Sequence, residues 1–282
     1  MAQPRVKIAL LALRQRSPAR DAAREAAKIL AGRGVEVVDG DLDDPASLAR
    51  ALQGASLGCV FGGDGTMLRA ARVAAPHGVG LLGINLGRLG FLTVASVAEL
   101  PELLEDVLQS RYTVEERLLL EATLRRDDAV VERNLALNDV VVARGKEVRS
   151  IHIAVWIDGE EFTTYWADGL IVATATGSTA YGFSVGGPVV IPRARTMLFV
   201  PVAPHLSFRN AVVLDEGQRL RLVSQDAPAR LSVDGQHEID LKAGDVVDVA
   251  PARVNAKFVR TAGARPFLSL LRDKILKEGR GL

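Results

Sequence analysis

Apolar positions in the first hundred residues alternate between short continuous runs and a helical spacing. Residues 6–11 form an apolar run of strand length, and beyond it Ala19, Ala22, Ala23, Ala26 and Leu30 recur at three- and four-residue intervals. That spacing puts all five on one face of a helix opening at Ser17-Pro18, where proline suits the first helical position, and Gly32 and Gly34 end it. The pattern then predicts a second strand at 35–38, a short helix at 45–53, a third strand at 57–61 and a fourth at 79–84. Between the last two, Met67 to Val73 read as a helix opening just after Thr66. Strands alternating with helices imply parallel βαβ units, whose ligands gather at the carboxyl ends of the strands.

After a helical stretch at 97–109 the periodicity changes to two. Segments 111–126, 137–143, 151–157, 161–166 and 170–174 are alternating or β-branched, and shorter runs follow at 198–202, 211–214, 219–223, 229–233, 246–249 and 254–259. Only 266–276 is helical again, with an apolar face that needs a partner surface. The fold class expected is therefore an α/β lobe over 1–97, a β-rich lobe over 98–265 and a C-terminal helix in 266–282.

Composition narrows the functional classes. A length of 282 residues favours two lobes, and 35 Lys+Arg against 34 Asp+Glu leave a net charge of +1, so no global field favours nucleic acid or an anionic membrane. Any anion site must be local. The single Cys59 precludes a disulfide within the chain and sits in an apolar run as a small hydrophobe. The first residues lack a signal-peptide layout and no apolar run approaches the ~18 residues of a spanning helix, so a cytoplasmic protein is expected.

Chemistry concentrates in the loops. The stretch Gly62-Gly63-Asp64-Gly65-Thr66 joins a buried strand to a helix, and such glycines let backbone N–H groups approach a phosphate at a helix N-terminus. Asp64 is unusual there, because a carboxylate repels phosphate unless it serves chemistry or a metal bridge; the plain alternative is a helix cap. Asn85-Leu-Gly87-Arg-Leu-Gly90-Phe91 leaves the neighbouring strand, so the two loops would form one crevice. Gly78-Val-Gly80-Leu-Leu-Gly83 fits a dinucleotide fingerprint but runs into a strand, and no P-loop or Gly-x-Ser-x-Gly elbow occurs. His77, His152, His205 and His237 show no ligand spacing, and no metal-ligating residues are assigned. In the β-rich part, Asp168 heads a strand that empties into Thr174-Ala-Thr176-Gly177-Ser178-Thr179-Ala180-Tyr181 and on through Ser184 to Pro188. Small hydroxyls and free N–H groups suit ribose and phosphate oxygens, though Ser178 and Thr179 would also cap a helix through Val185. Asn138-Asp139 could pair with a base edge or ribose hydroxyls or serve a turn, and Asp234-Gly235-Gln236 reads as a hairpin turn.

Gly62-Gly-Asp-Gly-Thr66, Asn85-x-Gly-x-x-Gly-Phe91-Leu-Thr93, Leu137-Asn-Asp139, Asp168-Gly-Leu-Ile-Val172 and Thr176-Gly-Ser-Thr-Ala-Tyr181 through Gly186-Gly-Pro188 together resemble NAD kinases over essentially the whole chain. The first motif is shared with diacylglycerol-type lipid kinases, whereas the Thr-Gly-Ser-Thr-Ala-Tyr block is far more specific. The resemblance implies Mg²⁺-dependent transfer of a phosphoryl group from ATP or inorganic polyphosphate to the 2′-hydroxyl of the adenosine ribose of NAD. It also implies a homodimer or homotetramer and a last helix packed back on the first lobe. Carried over by position, Asp64 becomes the base for the hydroxyl, with Gly65 beside it and Phe91 lining the adenosine pocket. Asn138, Asp139, Asp168, Thr179, Ala180, Tyr181, Gly182, Phe183, Ser184 and Gln236 become NAD-binding, with the 176–184 segment opposite the glycine loop across a cleft between the lobes. Arg149 stands at a position associated with NAD, and Arg69 is expected to meet a donor or NAD phosphate. Ala175 replaces the family's usual proline, Trp166 a common basic residue, and 204–210 is one residue short. The competing readings are a lipid kinase and a non-catalytic NAD(H) sensor.

Overall fold

The computed structural model describes residues 6–278 apart from 14, 16, 88, 148 and 227, and of 277 and 278 the backbone alone. Arg88 of the second glycine loop and 279–282 of the expected C-terminal segment lie outside the described residues.

In chain order the elements begin β1 (Lys7–Ala12), α1 (Ser17–Ala31), β2 (Glu36–Asp41), α2 (Pro45–Leu52), β3 (Leu57–Phe61), α3 (Asp64–His77) and β4 (Gly80–Asn85). Next come β5 (Ala95–Ser96), α4 (Leu100–Leu108), β6 (Tyr112–Arg117), β7 (Leu120–Arg126), β8 (Ala129–Ala136), β9 (Asp139–Arg144), β10 (Ile151–Ile157), β11 (Glu160–Ala167) and β12 (Gly169–Thr174). The chain closes through α5 (Tyr181–Ser184), β13 (Thr196–Val202), β14 (Val212–Asp215), β15 (Leu220–Ser224), β16 (Ala229–Val233), β17 (His237–Leu241), β18 (Val246–Pro251), β19 (Ala256–Thr261) and α6 (Phe267–Glu278).

Two compact units result, one of Met1–Glu116 with Ala256–Leu282 and one of Arg117–Asn255. The first is α/β: its sheet runs β2-β1-β3-β4-β19-β6 with β5 beside β4, and β1 to β4 are parallel. The alanine face of α1 is buried at all five positions that its periodicity marks, because small side chains let the helix approach the sheet closely. β3 and β4 are neighbours ending in register, Phe61 opposite Ile84, and Gly62 N–H continues the ladder to Ile84 O at 2.9 Å. Both glycine loops therefore leave one edge of one sheet.

The second unit holds two six-stranded antiparallel sheets, β11-β10-β15-β18-β7-β8 and β14-β13-β12-β9-β16-β17. Alternate side chains from both sheets, among them Leu120, Leu124, Tyr165, Val172, Phe199 and Leu231, share one buried cluster.

Three expectations are corrected. The run 111–126 is two strands in different sheets, β6 in the α/β sheet and β7 in the β unit, because alternation reports which face a residue occupies and not which sheet it joins. β8 and β17 leave no mark in the pattern; both are outermost strands with charged, half-covered faces, where apolar alternation is weak. The units also divide after Glu116 and after Asn255, so α4, β6 and β19 go with the α/β unit where the periodicity puts 98–265 in one β-rich lobe.

Candidate active site

The glycine loop after β3 turns at once into α3. Gly63 is the N-cap and Asp64 the first helical residue, so the helix opens two residues ahead of Thr66 and Asp64 is not its cap. Freed from capping, the carboxylate reaches the second glycine loop: Phe91 N–H donates to Oδ2 at 2.9 Å and Leu92 N–H to Oδ1 at 3.0 Å. Such close approach needs Gly90, since a Cβ there would stand 1.9 Å from Asp64 Oδ1. A third group completes the surroundings. Lys274 of α6 places Nζ 3.8 Å from Asp64 Oδ2 and 3.8 Å above the Phe91 ring centroid, while Phe267 packs on the same ring at 5.5 Å. Arg260 donates from Nη2 to Phe91 O at 3.2 Å and pairs through Nε with Glu115 at 3.2 Å, so the loop is held from both sides.

Gly65 lies in the first turn of α3 beside Asp64. Arg69, one turn further, is engaged elsewhere: its guanidinium pairs with Asp43 and lies 3.4 Å from Leu42 O, at the loop leading into α2. A phosphate contact there would compete with Asp43.

In the β unit a cavity of about 380 Å³ gathers Asn138, Asp139, Ala180 and Tyr181 with Ser232 and Asp234. From the sequence, Asp234 is expected only as part of a turn. It is that, since Asp234 and Gly235 take left-handed φ of 52° and 62° between β16 and β17. Its carboxylate does more, accepting from the N–H of Leu137 (3.0 Å), Asn138 (2.7 Å) and Asp139 (3.1 Å), which shapes the start of β9. No short-range pattern marks this role, because its partners lie almost a hundred positions upstream.

Asp139 is 5 % exposed and has its carboxyl pushed up to about 7, first by burial and then by the charge of Asp234, against the lowering effect of the Tyr181 N–H that it accepts. The opposing wall is built on Gly177, which crosses the backbone so closely that a Cβ would meet Asn138 O at 2.0 Å. Thr174 locks this crossing, donating to Leu137 O at 2.5 Å and accepting from Gly177 N–H at 3.0 Å.

The expected helix through Val185 is instead a 3₁₀ turn, Gly177–Thr179, followed by the single turn α5. Ser178 caps neither; its buried hydroxyl donates to Ala175 O at 2.8 Å and accepts from Val190 N–H at 3.0 Å, an internal tie that prevents capping. Thr179, Gly182, Phe183 and Ser184 lie on this segment without lining the cavity, and Tyr181 and Phe183 are 45 % and 39 % exposed. Gln236 occupies the hairpin turn, where its N–H donates to Val233 O at 3.0 Å.

Asp168 does not itself line this cavity. β9 and β12 run antiparallel with Asp139 opposite Ala173 and Ala143 opposite Gly169, so Asp168 stands about five residues along the ladder, roughly 17 Å from Asp139, beside the cavity-lining Arg144. There it accepts from the Ser150 hydroxyl at 2.9 Å and pairs with Arg144 at 3.5 Å; His205 Nε2 lies 3.1 Å from the same hydroxyl. Trp166 stacks on His152 and packs at a tilt against His205 nearby, and Arg149 is exposed within electrostatic reach of Asp226.

Residues 43–112 match the ATP-NAD kinase N-terminal domain and 137–261 the ATP-NAD kinase C-terminal domain. The chain is 44 % identical to the NAD kinase of Heliobacterium modesticaldum over 223 residues, 78 % of each chain. The chain belongs to the NAD kinase family. A second NAD kinase, from Symbiobacterium thermophilum, is 44 % identical to it over 218 residues, 77 % of each chain. The two-domain NAD kinase fold of this chain is shared with two solved structures. Yeast NADH kinase complexed with NADH superposes with a TM-score of 0.83 at 27 % identity, covering 93 % of this chain and 85 % of that one. An NAD kinase from Archaeoglobus fulgidus in complex with ATP gives 0.72 at 28 % identity, covering 91 % and 94 %. The NAD kinase domain matches contain both glycine loops and the whole Asp139 cavity, whereas α6, which carries Lys274, follows the second match.

Proposed function

We propose that this chain transfers a phosphoryl group from ATP or polyphosphate to the 2′-hydroxyl of the adenosine ribose of NAD, giving NADP. The observation that carries the reading is the Asp64 carboxylate, held on two loop N–H groups at the first turn of α3. Each oxygen gives one lone pair to the loop and keeps another for the acceptor hydroxyl. In the step, the ribose oxygen forms its bond to phosphorus while the bond to the donor's bridging oxygen breaks. The leaving oxygen keeps that electron pair, and the hydroxyl proton passes to Asp64. A loose transition state makes alignment the larger part of the task, which is what a carboxylate gripped at both oxygens supplies.

Gly65 and Phe91 act with Asp64 at the acceptor. Asn138, Asp139 and Tyr181 hold nucleoside hydroxyls and base edge, and a carboxyl titrating near neutrality at Asp139 can both donate and accept. Thr179 to Ser184, Gln236, Asp168 and Arg149 serve the remaining NAD contacts, and Arg69 meets a phosphate only by leaving Asp43. Mg²⁺ suits a site of this kind because it keeps several waters and takes one or two carboxylates besides the donor's phosphates. Asp64 is the carboxylate available in the glycine loops; among the described residues no group of three or more His, Cys, Asp or Glu could hold a metal. When bound, the ion neutralises donor charge. Self-association into a dimer or tetramer, in the cytoplasm, completes the reading; among the described residues no helix is long and apolar enough to cross a membrane.

Incubation of the purified chain with NAD, Mg²⁺ and either ATP or polyphosphate, followed by assay of NADP, tests the proposal. NADP formation with at least one donor is expected, and none when 2′-deoxyadenosine NAD replaces NAD, because a site built for a hydroxyl loses its acceptor. Failure with both donors would overturn it.

A further inference from the structure

Lys274 carries a charge into the Asp64 site from an element that neither glycine loop could have announced. We propose that its ammonium contacts the phosphoryl group in flight, an assignment that rests on the phosphoryl transfer proposed above.

The geometry starts with α6. Phe267 and Lys274 are seven residues apart, two helical turns, and so share one face; that face meets Phe91, with Phe267 at 5.5 Å and Lys274 Nζ at 3.8 Å from the ring centroid. The rest of the helix is lightly held: Leu270 is buried, while Leu268, Ile275 and Leu276 are 62 %, 48 % and 54 % exposed. The cation-bearing face is thus the one the fold docks. Nζ stands 3.8 Å from Asp64 Oδ2, at the long limit of an ion pair, and its side chain is 41 % exposed. It is near the carboxylate without being closed onto it.

An acceptor hydroxyl bonded to Asp64 must lie within about 3 Å of the carboxylate, and phosphorus approaches that hydroxyl to a similar distance. An ammonium already 3.8 Å from Asp64 on a flexible four-carbon stem can reach the equatorial oxygens of the moving group. There it donates N–H bonds to oxygens whose charge is spread in the transition state, and no proton transfer is asked of it. The Phe91 ring face favours the cation and limits its swing. The rival role is structural, with Lys274 merely pinning α6 to the loop.

Lys274→Met, Lys274→Arg and the control Arg272→Met, an exposed cation on the same helix, separate the two. Lys274→Met is expected to lower kcat by roughly 10²–10³-fold, as for loss of one transition-state donor, with NAD KM within about threefold of wild type and an unchanged melting temperature. Lys274→Arg should recover at least about tenfold of that loss, and Arg272→Met should match wild type. Normal kcat in Lys274→Met would overturn the assignment. So would a loss that tracks a fall in melting temperature and is not recovered by arginine. An inactive wild type would instead defeat the phosphoryl-transfer reading itself, before any variant is compared.

Discussion

Two carboxylates, Asp64 at the first turn of α3 and Asp139 at the start of β9, are treated in opposite ways. Asp64 meets donors only, two backbone N–H groups and an ammonium. Asp139 is buried beside a second carboxylate, Asp234, which has already taken three backbone N–H groups at the head of β9. The first arrangement fixes both oxygens and leaves a lone pair on each. The second leaves a carboxyl that keeps its proton up to about pH 7. On the function proposed above, one chain uses the same side chain for chemistry in the α/β unit and for recognition in the β unit.

The sharpest way to break this comparison is to exchange the groups for amides. Asp64→Asn should lower kcat by about 10²–10⁴-fold, the usual range for an aligned base, while NAD KM changes by less than about threefold. Turnover near normal would remove Asp64 from the chemistry. Asp139→Asn should behave differently, with its clearest effect on stability against pH. Between the ordinary carboxylate range and about pH 7, the folded chain keeps the Asp139 proton while the unfolded chain has released it. The stability held on the acid side is therefore lost as pH rises through about 7. A tenfold change in proton affinity is worth about 1.4 kcal/mol, so the loss is on the order of a few kcal/mol. Relative to wild type, Asp139→Asn should consequently melt higher at about pH 8.5 than at about pH 5.5, by roughly 2–4 °C for each kcal/mol recovered. A constant difference between the two proteins across that range would contradict a titrating, buried Asp139. Smallest is Arg69→Ala. Its side chain is 40 % exposed and paired with Asp43, so about 0–1 kcal/mol of stability and less than about threefold in either KM are expected. A larger rise in donor KM would show that phosphate displaces Asp43.

Much of this is legible without coordinates where a signal is local. The α1 face, β3 and its glycine loop, and the strand that empties into Thr174-to-Tyr181 follow from spacing over a few residues. The edge strands β8 and β17 are not, since each buries a single residue and charged side chains occupy much of the rest, so little apolar alternation marks an inward face. Nor is the start of α3. Asp64 and Thr66 are both good caps, and capping is the natural reading until the second loop offers Asp64 better partners.

By itself the sequence determined which residue types end each strand, hence the family, and it marked Asp64, Asn138 and Asp139 as candidate site residues, because those motifs are contiguous. Only the tertiary structure decided their chemical surroundings. Asp234 reaches the start of β9 from almost a hundred residues downstream, Lys274 reaches Asp64 from the last helix, and Asp168 is carried to the far end of its strand pair. Charge and burial act through space, so the neighbours that set them need leave no mark along the chain.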